Sequence, residues 1–216
     1  MRHSSRWPGP GPEGRNQARR AFDQVCGAKP QCRFKETGAS VLETLHKQAL
    51  FADLCILARD YELIGDNLLL LKAALASSRV PTILLPAVPL EEPPTTIVCA
   101  WNGQAAAARA IRAAIPFALK ARRFLVLEYA SNEVNRSRLE SFLHNQGVTS
   151  AEWRPYGDSS LTARGRARAL LAEAKALNAH LLVTGAYGDI GESFFRFGRA
   201  TDKIARAATI SVLFSN

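Results

Sequence analysis

Residues 180–201 read HLLVTGAYGDIGESFFRFGRAT, and the architecture of the whole chain turns on how this stretch divides. Leu181 to Thr184 is a short, continuous apolar run, the pattern of a strand buried on both faces of a sheet. Gly185-Ala186-Tyr187-Gly188 follows at once. Nine residues intervene before Gly198-Arg199-Ala200-Thr201, which opens a helical pattern through Ile204, Ala207 and Ala208. Glycines at the end of a strand let backbone N–H groups come close to a ligand. A helix that begins at Gly198 turns its free N–H groups and the positive end of its dipole toward the same space. Strand, glycine turn and helix start together make a candidate phosphate cradle at the carboxyl end of a strand. The same residues also fit a plain tight turn. Neither a Walker loop nor a G-x-G-x-x-G dinucleotide fingerprint occurs.

The alternation of strand and helix extends outward from this stretch. Strand candidates are Leu54–Leu57, Thr82–Leu85, Thr96–Ala100, Phe124–Glu128, His180–Thr184 and Ile210–Phe214. Most are continuous apolar runs, as in parallel sheets covered by helices. Ala108, Ile111, Ile115 and Leu119 share one helical face, and Pro116 should kink that helix. Ala163, Ala167, Leu170, Ala174 and Leu177 share another; the arginines of this helix read as a solvated face. Such alternation predicts βαβ units and an open, mostly parallel sheet.

Residues 86–94, PAVPLEEPP, hold four prolines and read as a linker between two strands. The chain repeats itself around it. Residues 39–86 run helix, Ala52-Asp53-Leu54, strand, loop, helix, Val80-Pro81, strand. Residues 162–214 run helix, Ala179-His180-Leu181, strand, loop, helix, Thr209-Ile210, strand. Internal repetition organises a fold more firmly than any single motif.

The pattern Gly185-x2-Gly188-x9-Gly198, with Ala-Tyr between the first two glycines and a helix and final strand behind, resembles the nucleotide loop of the universal stress protein family. Thr96 to Gly103, TIVCAWNG, is similar to that family's first strand and its end. The resemblance covers residues 95–216 as one complete five-stranded unit, and residues 18–86 look like the later part of a second. It implies an α/β fold: an open parallel five-stranded sheet of flavodoxin or Rossmann-like type, order 3-2-1-4-5, in the second repeat, with a partial copy in the first. It also implies a cytoplasmic stress-response binding module whose second repeat takes ATP or another adenine nucleotide. Adenine and ribose would lie near Ala100 and Asn102, with Tyr129 and Ala130 at the next strand end. Phosphates would face Gly185, Gly188, Gly198, Arg199, Ala200 and Thr201. Self-association would use the last strand, Ile210–Phe214.

Several residues depart from the family pattern. Asn102 stands where nucleotide binders carry Asp; an amide still hydrogen-bonds, but not as a charged acceptor. Arg199 stands where Ser or Thr is expected, able to pair with phosphate or to fill the pocket. Asp189 and Glu192 place acids in the loop. The matching stretch of the first repeat is Ala58-Arg59-Asp60-Tyr61, without glycine, and no phosphate site is expected there. The alternative is a structural or regulatory module of the same fold that binds no nucleotide. No catalytic base is evident, so any ATP hydrolysis would be slow and incidental.

Composition fits these readings. With 216 residues, 47% hydrophobic and 22% charged, the chain has material for a sizeable core and is neither disordered overall nor collagen-like. The net charge is +9, and the first twenty residues set five arginines against Glu13 alone. That basic start argues only weakly for nucleic acid. Residues 1–17, rich in Pro, Gly and Arg, are expected to form a disordered tail. The boundaries follow: 1–17 tail, 18–86 incomplete first repeat, 87–94 linker, 95–216 second repeat. The first repeat is expected to lack its opening strands, so that segments near Arg33–Lys35, Leu54–Leu57 and Thr82–Leu85 leave a gap across the sheet. The start would then be replaced or non-native sequence.

Cys26, Cys32, Cys55 and Cys99 show no C-x-x-C or metal-ligand spacing, and no disulfide framework is expected. No apolar run reaches membrane-spanning length, and no signal peptide is evident. His46, His144 and His180 are scattered, with no metal site implied. Asp158, Ser159, Ser160 and Thr162 read as helix caps. Trp101 admits two roles, stacking on a base or packing in the core. Phe194, Phe195 and Phe197 suit a pocket cover or an association surface.

Overall fold

Continuous apolar strands need a helix on each face, and the chain supplies both layers. The computed structural model describes residues 12–37, 40–59, 64–86, 93–129, 133–157, 160–186 and 198–216. In chain order the elements are α1 (Pro12–Cys26), α2 (Val41–Ala49), β1 (Cys55–Ala58), α3 (Ile64–Lys72), which continues as a π-helical turn over Ala73–Ser78, and β2 (Thr82–Leu85). Then follow β3 (Thr96–Trp101), α4 (Ala105–Ala118), β4 (Arg123–Glu128), α5 (Glu133–Asn145), β5 (Ala151–Pro155), α6 (Ala163–Ala176), β6 (Leu181–Gly185), α7 (Arg199–Ala207) and β7 (Ser211–Ser215).

All seven strands join one sheet in the order β1-β2-β7-β6-β3-β4-β5. Every pairing is parallel except β2 with β7, which run antiparallel with Ile83 opposite Leu213. The fold is thus α/β around a mixed, mostly parallel sheet. Side chains of β3 alternate between two cores. Val98 and Ala100 meet α6, α7 and Leu68, Leu71 and Leu75 on one face. Ile97, Cys99 and Trp101 meet α4 and α5 on the other.

Four expectations change. The sheet does not end at the last strand but continues through β2 to β1, which pair in parallel. A helical crossover through α3 joins them, and Arg33–Lys35 forms no strand, so the gap expected between it and Leu54–Leu57 does not arise. The last strand, expected at Ile210–Phe214 as an association edge, has β6 on one side and β2 on the other, so its hydrogen-bonding edge is filled from within the chain. Helix α1 begins at Pro12, inside the segment expected to be disordered; proline is well placed at a helix start because its missing N–H has no partner to lose there. Residues 1–11 lie outside the described residues. Finally, β5 forms where no apolar run marked a strand, although the resemblance implied five strands in this half. Glu152, Arg154 and Pro155 break its apolar run, which an edge strand tolerates because water reaches part of it.

Candidate functional site

A cavity of about 360 Å³ opens at the carboxyl ends of β3 and β6. Strand β3 contributes Ala100 and the residues just beyond it contribute Asn102 and Gln104; Ala106 and Ala107 come from the first turn of α4. Thr184 and Gly185 close β6 against it, and Gly198, Arg199, Ala200, Thr201 and Ile204 bring the start of α7. The far wall is α6, with Ala163, Arg166, Ala167 and Leu170, and Tyr156 beyond β5. Of the residues named from sequence, Ala100, Asn102, Gly185, Gly198, Arg199, Ala200 and Thr201 therefore share one cavity. Tyr129 stands behind its wall, its ring 5.7 Å from that of Tyr156. Ala130 and Gly188 lie outside the described residues, as do Asp158, Ser159, Asp189, Glu192, Phe194, Phe195 and Phe197.

The start of α7 is the polar feature of the cavity. Gly198 takes extended backbone angles and has no side chain to cap the helix, so it offers the first-turn N–H groups no side-chain acceptor. Thr162 shows the contrast at α6, where its hydroxyl accepts from the Gly165 N–H at 3.2 Å. The cap expected at Thr162 is in place. Arg199 adds a cation at the positive end of the α7 dipole, an arrangement that an anion would relieve. The first acid of that helix, Asp202, is held by Arg206 at 3.0 Å.

Arg166 was read from sequence as part of a solvated face, and the structure corrects this. Its guanidinium is partly buried in the cavity wall, lies 5.1 Å over the Tyr129 ring, and donates from Nη1 to the Leu161 carbonyl at 3.2 Å. A side chain held from two sides loses little further freedom on meeting a ligand. Burial pushes the Tyr156 hydroxyl up to about 12, so it stays neutral beside Arg166. Among the described lining residues there are two guanidiniums and no carboxylate. The signal for Arg166 in the sequence was its place one turn after the Thr162 cap, on the side of α6 adjoining Ala167 and Leu170.

Two residues do different work from that expected. Gly185 is not there only to admit a ligand. A Cβ at this position would lie 2.8 Å from the Ala107 nitrogen and 2.9 Å from the Ala106 carbonyl carbon, so the start of α4 already occupies the space. Asn102 is engaged locally: its Oδ1 accepts from the Gln104 N–H at 3.1 Å across Gly103, whose φ of +75° suits glycine. Trp101 is 7% exposed and packs with α4 in the core, which settles its role against stacking. His180 is structural as well, its Nδ1 accepting from the Thr96 N–H at 3.2 Å. Among the described residues no group of side chains could hold a metal ion, and no helix is long and apolar enough to cross a membrane.

This architecture has solved counterparts. A universal stress protein from Archaeoglobus fulgidus DSM 4304 superposes with a TM-score of 0.60 over 96% of this chain and 80% of its own, at 13% identity. A putative universal stress protein from Pseudomonas aeruginosa UCBPP-PA14 gives 0.59 over 93% and 77%, at 14% identity. The fold is that of the universal stress proteins. A functionally unknown protein from Pseudomonas aeruginosa PAO1 shares it, with a TM-score of 0.59 over 93% of this chain and 77% of its own, at 12% identity. At such identities the likeness concerns the fold. No family model matches the sequence. No curated protein matches it either.

Proposed function

We propose that this protein is a stress-response binding module of the universal stress type, acting in the cytoplasm, whose cavity between α6 and α7 takes ATP or another adenine nucleotide. One observation carries the reading: the uncapped start of α7, flanked by Arg199, opens into a cavity at the carboxyl ends of parallel strands. Helix N-terminal amides and a guanidinium are phosphate partners by chemistry. In this reading the phosphates meet Gly198 to Thr201, and the base and ribose lie toward Asn102, Tyr129 and Ala130. Arg166 faces the ligand from the opposite wall. The matching patterns of residues 39–86 and 162–214 support a tandem arrangement of two related units, with 18–86 as the first, 87–94 as linker and 95–216 as the second.

A second reading keeps the fold and drops the nucleotide. It is favoured by Asn102, whose side-chain oxygen is already used by Gln104. Calorimetric titration of the full chain with ATP separates the two. Binding at or below about millimolar, roughly 4 kcal/mol, supports the first. An Arg199→Ala chain should then bind several-fold more weakly. The absence of heat at millimolar ATP leaves the ligand-free module as the function. Nucleic-acid binding through the basic start would instead appear as affinity that falls steeply with salt.

A further inference from the structure

The sheet ends on two edges, and only one of them is guarded. β5 carries Glu152, Arg154 and Pro155, with Glu152 held by Arg123 at 2.9 Å. Charges and proline keep an edge strand from pairing with another chain. β1, at the other edge, reads Cys55-Ile56-Leu57-Ala58 and has neither. Part of its backbone is committed to β2: the Cys55 N–H donates to the Pro81 carbonyl at 2.9 Å, and the Arg59 N–H to the Leu85 carbonyl at 3.1 Å. Backbone groups alternate sides along a strand, so Cys55, Leu57 and Arg59 face β2, while Ile56 and Ala58 turn their N–H and C=O outward. Apolar surface gathers at the same edge. Of the six large apolar side chains exposed among the described residues, Leu50, Phe51 and Ile56 lie in β1 or just before it. Ile56 stands beside Ile83, on the sheet face that α4 covers further along, over β6 and β7.

We propose that a second copy of this chain pairs with this edge, β1 antiparallel to β1 about a two-fold axis, with Ile56 opposite Ile56. Such pairing is isologous: each chain offers the same strand and receives the same strand. The two outward-facing Ile56 residues exchange both backbone hydrogen bonds, and Leu54 and Ala58 of the two copies stand opposite each other on either side. Within residues 53–59 only Asp53 and Arg59 are charged, and this register sets Asp53 of one copy opposite Arg59 of the other. Asp53 is exposed. The buried Arg59 guanidinium reaches a backbone carbonyl and meets no carboxylate among the described residues. A carboxylate brought near it from the second copy offsets that charge at both ends of the pairing. Slipping by one residue would turn the groups that face β2 toward the second copy, which has no bonds for them. Slipping by two, to set Ile56 opposite Ala58, would place Cys55 opposite Arg59 and part the charges. The chosen register gives one sheet running through both chains, with the two exposed Ile56 side chains covering each other.

Sedimentation equilibrium of the full chain tests this. At about 50 µM the expected mass is twice the 23.5 kDa of one chain. Ile56→Lys sets two like charges opposite each other at the two-fold centre, and should raise the dissociation constant about tenfold or more. Ile56 is 57% exposed, so the variant keeps its fold, which circular dichroism checks. Leu119→Lys, at a residue as exposed but at the end of α4, should leave the mass unchanged. The register is read by Ile56→Cys in a Cys55→Ser chain. Facing residues of a hydrogen-bonded antiparallel pair lie about 5.5 Å apart at Cα, within disulfide range. Mild oxidation should join two copies of the tryptic peptide Gln48–Arg59. A monomer at this concentration overturns the proposal and leaves the edge to a different protein. A dimer that survives Ile56→Lys overturns it equally, as does one in which Gln48–Arg59 fails to join to itself.

Discussion

The strand pairs β1–β2 and β6–β7 are built alike and meet different surroundings. Each is a parallel pair joined by a helical crossover, and each closes with the same contact. The Arg59 N–H donates to the Leu85 carbonyl at 3.1 Å, and the Ala186 N–H to the Ser215 carbonyl at 2.7 Å. The difference lies in what flanks them. β6 has β3 on its other side and α4 across its face, so Val183 is fully buried. β1 is an edge strand, and its Ile56, at the position matching Val183, is 57% exposed. Beyond β6 the turn residue Ala186 is fully buried; beyond β1 the matching residue is Arg59, 5% exposed, with Nη1 donating to the Ala208 carbonyl and Nε and Nη2 without a partner among the described residues. One local pattern therefore gives an enclosed strand end that walls a cavity, and an edge strand whose end is plugged by an arginine. Neighbours, not the pattern, make the difference.

Exchanging the two turn residues should break the equivalence most severely. Ala186→Arg places a long cation at a position that is fully buried, and should cost more than about 4 kcal/mol, enough to prevent folding at 37 °C. Expression and circular dichroism would report it, and a folded, stable variant would mean the two ends are interchangeable. Gly185→Val should come next, at about 3 kcal/mol, because its Cβ meets the backbone of α4 rather than a flexible side chain. Its counterpart is already alanine, so Ala58→Val should change little; urea midpoints of both compare them directly. Val183→Ala should lose about 2 kcal/mol, while Ile56→Ala stays within about 0.5 kcal/mol where the chain is dilute enough to be monomeric. Equal losses there would show that the chain itself covers β1 in solution. The smallest effect has the opposite sign. Arg59→Met keeps the bulk and removes two donors that no described residue accepts from, and should leave stability unchanged or raise it by about 1 kcal/mol. A clear loss would show that the contact with Ala208, where α7 ends, matters more than the unpaired nitrogens.

Much of the fold was legible in the residues. Six of the seven strands fall within a residue or so of apolar runs visible in the sequence; five of them are buried on both faces and so are apolar throughout, while the edge strand β1 is apolar although alternate residues are exposed. The missed one, β5, has water on part of its surface, and only the alternation of Ala151 and Trp153 with Glu152 and Arg154 marked it. The candidate site was half legible. Gly198 to Thr201 announced themselves by glycine and helix periodicity, and they do line the cavity. Arg166 did not, because a helix pattern shows which residues share a side but not that this side borders a cleft. Gly185 was noticed for the close approach it would allow a ligand; the close approach of α4 explains it better.

By itself, the sequence determined the alternation of elements, the double burial of the central strands and the start of α7, since each depends on nearest neighbours along the chain. Tertiary structure decided the rest. It set β2 antiparallel to β7, a pairing made by backbone groups that carry no residue signature. It turned Trp101 into the core and Arg166 toward the cavity. These outcomes depend on which surfaces meet across long separations, and such meetings are fixed only when the whole sheet closes its two cores.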